Sequence, residues 1–404
     1  MKKRTATRRG LVTLAVAGAF IAPAAMAEVT LSGAINIGLQ FGKSDTDTAG
    51  NPGLTTQQLH PSYSNINISS SDEIGNGNRV IFNYQMDISG TSSANPTNAG
   101  GAIGNRNSYL GIAGNWGAVK VGTNENVYER WQYTSDPLDG AVGPGGNLNI
   151  LSTPGAMTVF EVGQGGCVSL TGVGGVQAAG SGCVGFYRRA EQQIWYESPN
   201  WNGFSFEVDY TLSAFKSTAG TDPQIISVGG KYAPDGMPFY VDAAYERHED
   251  MFGFNKIAGV AGGTSSTDDA VQVGGGYTFG PATLHVRFES LSYETDSVGT
   301  WERDAWWLAV KWNVPTGYVG AELGLADEAD CSGTGVVCTD TGATMLGVGY
   351  FHNLSKQSQL QFIYGRTDND DNATYAQIGA AGGVGLAGPG RTHQVFDIRI
   401  KHVF

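Results

Sequence analysis

Past residue 27 the chain has no run approaching 18 consecutive apolar residues. A helix needs about 20 of them to cross a bilayer, so any membrane crossing here is made by strands. Basic residues are scarce too. Lys2, Lys3, Arg4, Arg8 and Arg9 all fall within the first 27 residues, which hold no acid; beyond them 19 basic residues face 37 acidic ones, a net charge of −18. Nucleic acid is excluded as a partner, because it requires a basic footprint. Enzyme signatures are missing: there is no G-x-S-x-G, H-E-x-x-H, P-loop or C-x-x-C, and the six histidines are scattered. Nothing calls for a cofactor. Cysteine is limited to Cys167, Cys183, Cys331 and Cys338, in two Gly-rich segments. In an exported protein these read as two local disulfides, Cys167 to Cys183 and Cys331 to Cys338. The competing idea, a zinc site using all four, lacks the close cysteine pairs usual in such sites.

Export is indicated by the leader. Its bases precede an apolar run from Leu11 to Ile21, and Ala25-Met26-Ala27 precedes Glu28. This is the pattern of a secretory signal peptide, with a mature chain of 28–404. Thr7-Arg8-Arg9 loosely matches a twin-arginine signal, but that route carries folded proteins and suits a membrane barrel badly.

What is abundant is glycine, at 60 residues, with 17 Tyr, 17 Phe and 8 Trp. From residue 29 the apolar Val29, Leu31, Ile35, Ile37, Leu39 and Phe41 share one parity, and Thr30, Ser32, Asn36 and Gln40 the other. Such alternation marks a strand with one apolar and one polar face. It recurs clearly at 80–88, 204–210, 239–245, 271–279, 284–288, 306–312 and 396–404. Weaker copies near 64–71, 107–113, 118–122, 189–198, 224–232, 318–326, 343–353 and 357–366 bring the expected count to 16 strands. The connections alternate in length. Short turns lie at 72–78, 114–117, 199–203, 233–238, 280–281, 313–317 and 353–355. Longer polar loops lie near 43–62, 89–106, 123–188, 212–223, 247–268, 292–302, 327–342 and 367–391. Transmembrane β-barrels sort their connections this way, with short turns on the periplasmic side.

Opposite the apolar parity stand Arg79, Asp87, Lys120, Arg189, Glu191, Glu207, Asp209, Lys231, Asp242, Glu246, Arg287, Glu289, Lys311, Glu322, Asp397, Arg399 and Lys401. Charges this frequent cannot fill a dry core. The expected fold is therefore an all-β transmembrane antiparallel barrel, apolar towards lipid and polar towards a water-filled lumen. His285 and His393 fall on the inward parity as single residues, and Trp195 and Trp307 are the inward tryptophans. Phe41, Trp201, Tyr210, Tyr232, Phe279, Tyr293 and Phe404 are expected in the aromatic girdles at the membrane interfaces.

Several stretches resemble the general porins of Gram-negative, proteobacterial-type outer membranes. These are Ser69-Ser70-Ser71-Asp72-Glu73-Ile74-Gly75-Asn76-Gly77, Tyr109-Leu110-Gly111-Ile112 leading to Trp116 through Gly122, Ile194 through Pro199 with Gly203-Phe204, Gly349-Tyr350 to Leu354-Ser355-Lys356, and Ile400 through Phe404. The resemblance implies a 16-stranded barrel forming homotrimers, embedded among outer-membrane lipid and lipopolysaccharide. It also implies a C-terminal Phe404 read by the outer-membrane assembly machinery, and passive diffusion of small hydrophilic solutes and ions. Asn65 departs from the family's frequent arginine, and 123–188 is longer and richer in glycine than usual.

The resemblance further implies that the third long loop, 123–188, folds into the pore. Its segment 124–187 carries Glu125, Glu129, Asp136, Asp139 and Glu161 against Arg130 alone, while the inward strand positions are near balance, with eight bases and nine acids. The expectation is a weakly cation-selective constriction faced by a basic wall drawn from Arg79, Lys120, Arg189, Lys231, Arg287 and Arg399. The alternative is that these acids are solvated loop charges. Asp368, Asp370, Asp371 and Asn372 suggest calcium, and Asp368-x-Asp370-x-Asn372 begins like a calcium loop, but Ala373 and Gly379 replace its glycine and final glutamate. They are read as an acidic tip in weak contact with divalent ions, not as a metal site. The competing functions are a substrate-specific channel, a non-transporting surface barrel such as an adhesin, and a barrel enzyme with acid, His and Ser groups gathered at one rim.

Overall fold

The computed structural model describes residues 28–48, 50, 52–62, 64–88, 106–138, 143–155, 185–187, 189–212, 223–251, 253–254, 265–333, 338–377 and 389–404. Its strands are β1 (Val29–Ser44), β2 (Thr55–Pro61), β3 (Asn65–Gly75), β4 (Asn78–Asp87), β5 (Ser108–Gly114), β6 (Gly117–Glu125), β7 (Arg189–Glu197), β8 (Phe204–Thr211) and β9 (Gln224–Tyr232). They continue with β10 (Phe239–Glu249), β11 (Ser266–Phe279), β12 (Ala282–Thr295), β13 (Gly299–Val314), β14 (Gly317–Ala326), β15 (Asp330–Gly333), β16 (Ala343–Asn353), β17 (Ser358–Asn369) and β18 (Thr392–Val403). All join one antiparallel sheet that closes on itself, β1 pairing with β18. Two of the eighteen segments continue a neighbour. β2 and β3 share β1 end to end, and β15 extends β14 along β13. The wall is thus 16 strands around, as the alternation indicates.

The pleat explains the inverted polarity. Along β11 and β12, Val273 and Val286 are exposed on the outer face while Gln272 and Arg287 are buried inside. Successive side chains of a strand point to opposite faces, so period-two sequence gives one lipid face and one lumen face. Asn76 and Gly77, with φ of +55° and +73°, form the two-residue turn between β3 and β4. Both positions are left-handed, as hairpin turns of this hand require. The seam closes at the termini, where the Phe404 N–H donates to Gly33 O at 3.1 Å and the Gly33 N–H to Phe404 O at 3.0 Å.

Some expectations need correction. The stretch 292–302 is no long loop, because β12 runs to Thr295 and β13 starts at Gly299. Its polar residues are compatible with a strand pair that continues beyond the apolar band. Tyr293 is not in a girdle: it is fully buried inside the barrel, 5.8 Å from the buried Trp301, a third inward tryptophan. The other six girdle residues are exposed on the outer face. Cys331 and Cys338 are disulfide-bonded, which excludes the four-cysteine zinc site. Cys167 and Cys183 lie outside the described residues, as does the leader.

Described parts of the third loop lie against the inner wall. Helix α1 (Val127–Tyr133) starts where β6 ends, and a 3-10 turn follows at Asn147–Asn149. The Val127 N–H donates to the Asp209 carboxylate at 2.6 Å, and Tyr128 Oη and Gln132 Nε2 donate to Glu289 at 3.0 and 2.6 Å. Further along, glycines let the loop backbone touch the wall. A Cβ at Gly365 would collide with Gly145 N, and one at Gly347 would meet Gly145 O at 2.6 Å.

Candidate pore constriction

Where β6 gives way to α1, the wall is irregular. The β6–β7 register shifts after Gly122, and Gln192 on β7 takes φ +55°. Asn124 and Glu125, adjacent in sequence, are both buried. Glu125 accepts from Arg189 and Tyr133 and from Asn107 Nδ2 at 3.2 Å, with Arg106 at 4.0 Å. Arg106 also pairs with Asp87 at 2.6 Å. Arg130 of α1 pairs with Glu207 of β8; burial is the largest influence and works against its charge, but Glu207 together with Asp209 and Tyr133 more than offsets it and the pKa is raised. Lys120 donates to Glu197 at 2.5 Å and lies 4.8 Å above the Tyr109 ring.

The loop acids expected to set a cation preference are engaged elsewhere. Glu125 is paired as above. Glu129 is 8% exposed, and burial, with Glu125 and then Glu246 nearby, lifts its carboxyl to about 8. It is largely protonated at neutral pH. Asp136 accepts the N–H groups of Leu138 at 2.6 Å and Asn147 at 2.9 Å, so it braces the loop's own backbone. Asp139, Glu161 and the side chain of Glu191 lie outside the described residues.

The basic residues do not gather into one wall. Arg79 is exposed near the turn end of β4, and Lys231 lies 4.6 Å over the Tyr240 ring. Arg287 is buried against Asp242 at 2.7 Å and donates to Trp131 O at 3.0 Å, pinning the end of α1 to the barrel. Arg399 pairs with Asp397 at 2.7 Å, beside Gly143. Arg303 escaped the sequence reading: it is buried and pairs with Glu289 at 3.1 Å. Its parity with Trp301 and Trp307 was the available signal. Asp368, read as a weak ion contact, is bound to Arg366 at 2.6 Å and accepts from Thr392 at 3.0 Å.

Beneath α1, between its Arg130 and the wall of β3 to β8, a cavity of about 470 Å³ opens into the lumen. Carboxamides dominate its wall side.

A model of the Gram-negative porins matches residues 13–372. The chain belongs to this family. Porins are channels and not enzymes, and this one is a Gram-negative outer-membrane protein. The chain is 24% identical to outer membrane porin protein 32 of Delftia acidovorans over 406 residues, covering 98% of this porin and 100% of the relative. It is 29% identical over 144 residues to major outer membrane protein P.IB of Neisseria gonorrhoeae, covering 33% of this porin and 39% of the relative. Among solved structures, the anion-selective porin from Comamonas acidovorans superposes with a TM-score of 0.70 at 21% identity, over 94% of this porin and 100% of that chain. Outer-membrane expressed OmpT of Vibrio cholerae gives 0.62 at 13% identity, over 94% and 98%.

Proposed function

We propose that this porin is a passive diffusion channel for small hydrophilic solutes and ions, cleaved after residue 27 and assembled as a homotrimer amid outer-membrane lipid and lipopolysaccharide. Rates are set by size and hydrogen bonding at the loop, with little discrimination by charge. The observation that carries this reading is charge compensation. Four bases near α1 each have a carboxylate: Arg106 with Asp87, Arg189 with Glu125, Arg130 with Glu207, Lys120 with Glu197. A ring of uncompensated acids is what favours cations, and paired charges leave little net potential. The expected cation preference is therefore not retained. It also finds no support in a relative named as an anion-selective porin. Trimeric assembly accords with a solved relative titled as a trimer form.

The test is single-channel recording in a planar bilayer under a salt gradient near neutral pH. Stepwise insertions with a reversal potential near zero or on the anion side are expected. A strongly cation-biased potential would overturn the compensated-charge reading, and silence from a folded barrel would favour a non-transporting surface protein.

A further inference from the structure

We infer that the recess beneath α1 is a binding site for an uncharged polyhydroxylated solute of about monosaccharide size, which makes this porin partly selective for such solutes; the inference rests on the channel reading above. The recess measures about 470 Å³, within the range of small-ligand sites. Asn67, Asn83, Gln85, Asn107 and Asn124 all contribute to its lining. They arrive there by register. Asn67 pairs with Gln85 across β3 and β4, and Asn83 with Tyr109 across β4 and β5, so the amides form a contiguous patch on the inner face.

Part of this patch is spoken for. Asn83 Nδ2 donates to Asn107 O at 2.6 Å, and Asn107 Oδ1 accepts from Arg189 at 2.7 Å. The carboxamides that line the recess each carry a donor nitrogen and an acceptor oxygen. Where the protein does not engage them such groups bind water, and an alcohol hydroxyl, which both accepts and donates, can replace that water in kind.

Charged solutes gain less. The two cations at the recess, Lys120 and Arg130, already hold Glu197 and Glu207. An anionic solute must break an ion pair to reach a base, and a cationic solute must do the same to reach an acid. Each leaves one partner unpaired in a partly desolvated site. A neutral polyol meets the amides without disturbing either pair.

The test is block of ion current through the reconstituted channel by glucose, gluconate and glucosamine, each titrated on one side. Glucose is expected to reduce the current along a saturating curve, with a half-saturation concentration at least fivefold below those of the two charged sugars. The double variant Asn67→Ala, Asn124→Ala should raise the glucose value about tenfold, with the gluconate and glucosamine values moving less than twofold. Should Asn124→Ala prevent folding, Asn67→Ala alone should raise it at least threefold. A current that falls only with solution viscosity, or tighter block by gluconate, would overturn the inference and leave the diffusion channel standing. Absence of any conductance would overturn both.

Discussion

Glu129 sits on α1 among Glu125, Glu246 and Tyr133 on the acidic side and Arg106 and Arg189 on the basic side. Burial dominates and holds its carboxyl near 8, above the ordinary value of 4.5, so the loop gains a negative charge only in mildly alkaline solution. Raising the pH from about 6.5 to about 9 should therefore shift the reversal potential towards cations. Glu129→Gln should flatten that response while leaving the potential near neutral pH unchanged; an identical pH profile in the variant would refute the assignment. The sign for stability follows from the same shift. A carboxyl raised in the folded state contributes stability that is fully present below its unfolded pKa and is lost as pH rises through about 8, so the native loop is held more firmly in acid than in alkali.

At the level of strands and loop, Gly347 of β16 decides how closely the third loop can lie on the wall. A Cβ there would stand 2.5 Å from Leu138 Cδ1 and 2.6 Å from Gly145 O. Gly347→Val should displace Leu138 and Gly145, cost about 1–3 kcal/mol by overpacking, and alter the single-channel conductance while the strand content by circular dichroism is kept. Unaltered conductance would mean that the loop does not narrow the pore. The strands themselves were legible, since period-two alternation is imposed by lipid on one side and water on the other. That signal fades once a strand pair leaves the apolar band, which is why β12 and β13 were read as stopping short and why Tyr293 and Arg303 were misplaced or missed. The candidate site was less legible. Acids could be counted along 124–187, but whether Glu125 meets Arg189, 64 residues away, depends on the β6–β7 register and its irregularity at Gln192. Composition gives the charge of a loop and says nothing about which charges are already paired.

For the barrel as a whole, closure is made by the β1–β18 seam, which is paired from Ala34 and Val403 to Ser44 and His393 and ends at Phe404. Phe404 exchanges two backbone hydrogen bonds with Gly33, and a Cβ on Gly33 would lie 2.9 Å from the Phe404 ring. Deleting Phe404 removes both bonds and an outward aromatic, and we expect a lower folded yield and a lower temperature for loss of the heat-modifiable band on a gel. Wild-type values for both would show that the terminal residue is dispensable for closure and for assembly. The tall side of the molecule has a different consequence. A strand crosses the hydrocarbon in about 9–11 residues. β13 has 16, so roughly five remain, about 15 Å of paired ladder. Its partner β12 returns through only Asp296, Ser297 and Val298, and β15, with Cys331 bonded to Cys338, lies along its other edge. To an antibody or a phage arriving from outside, this rib is a fixed shape rather than a pliant peptide, recognised when folded and lost when the protein is boiled.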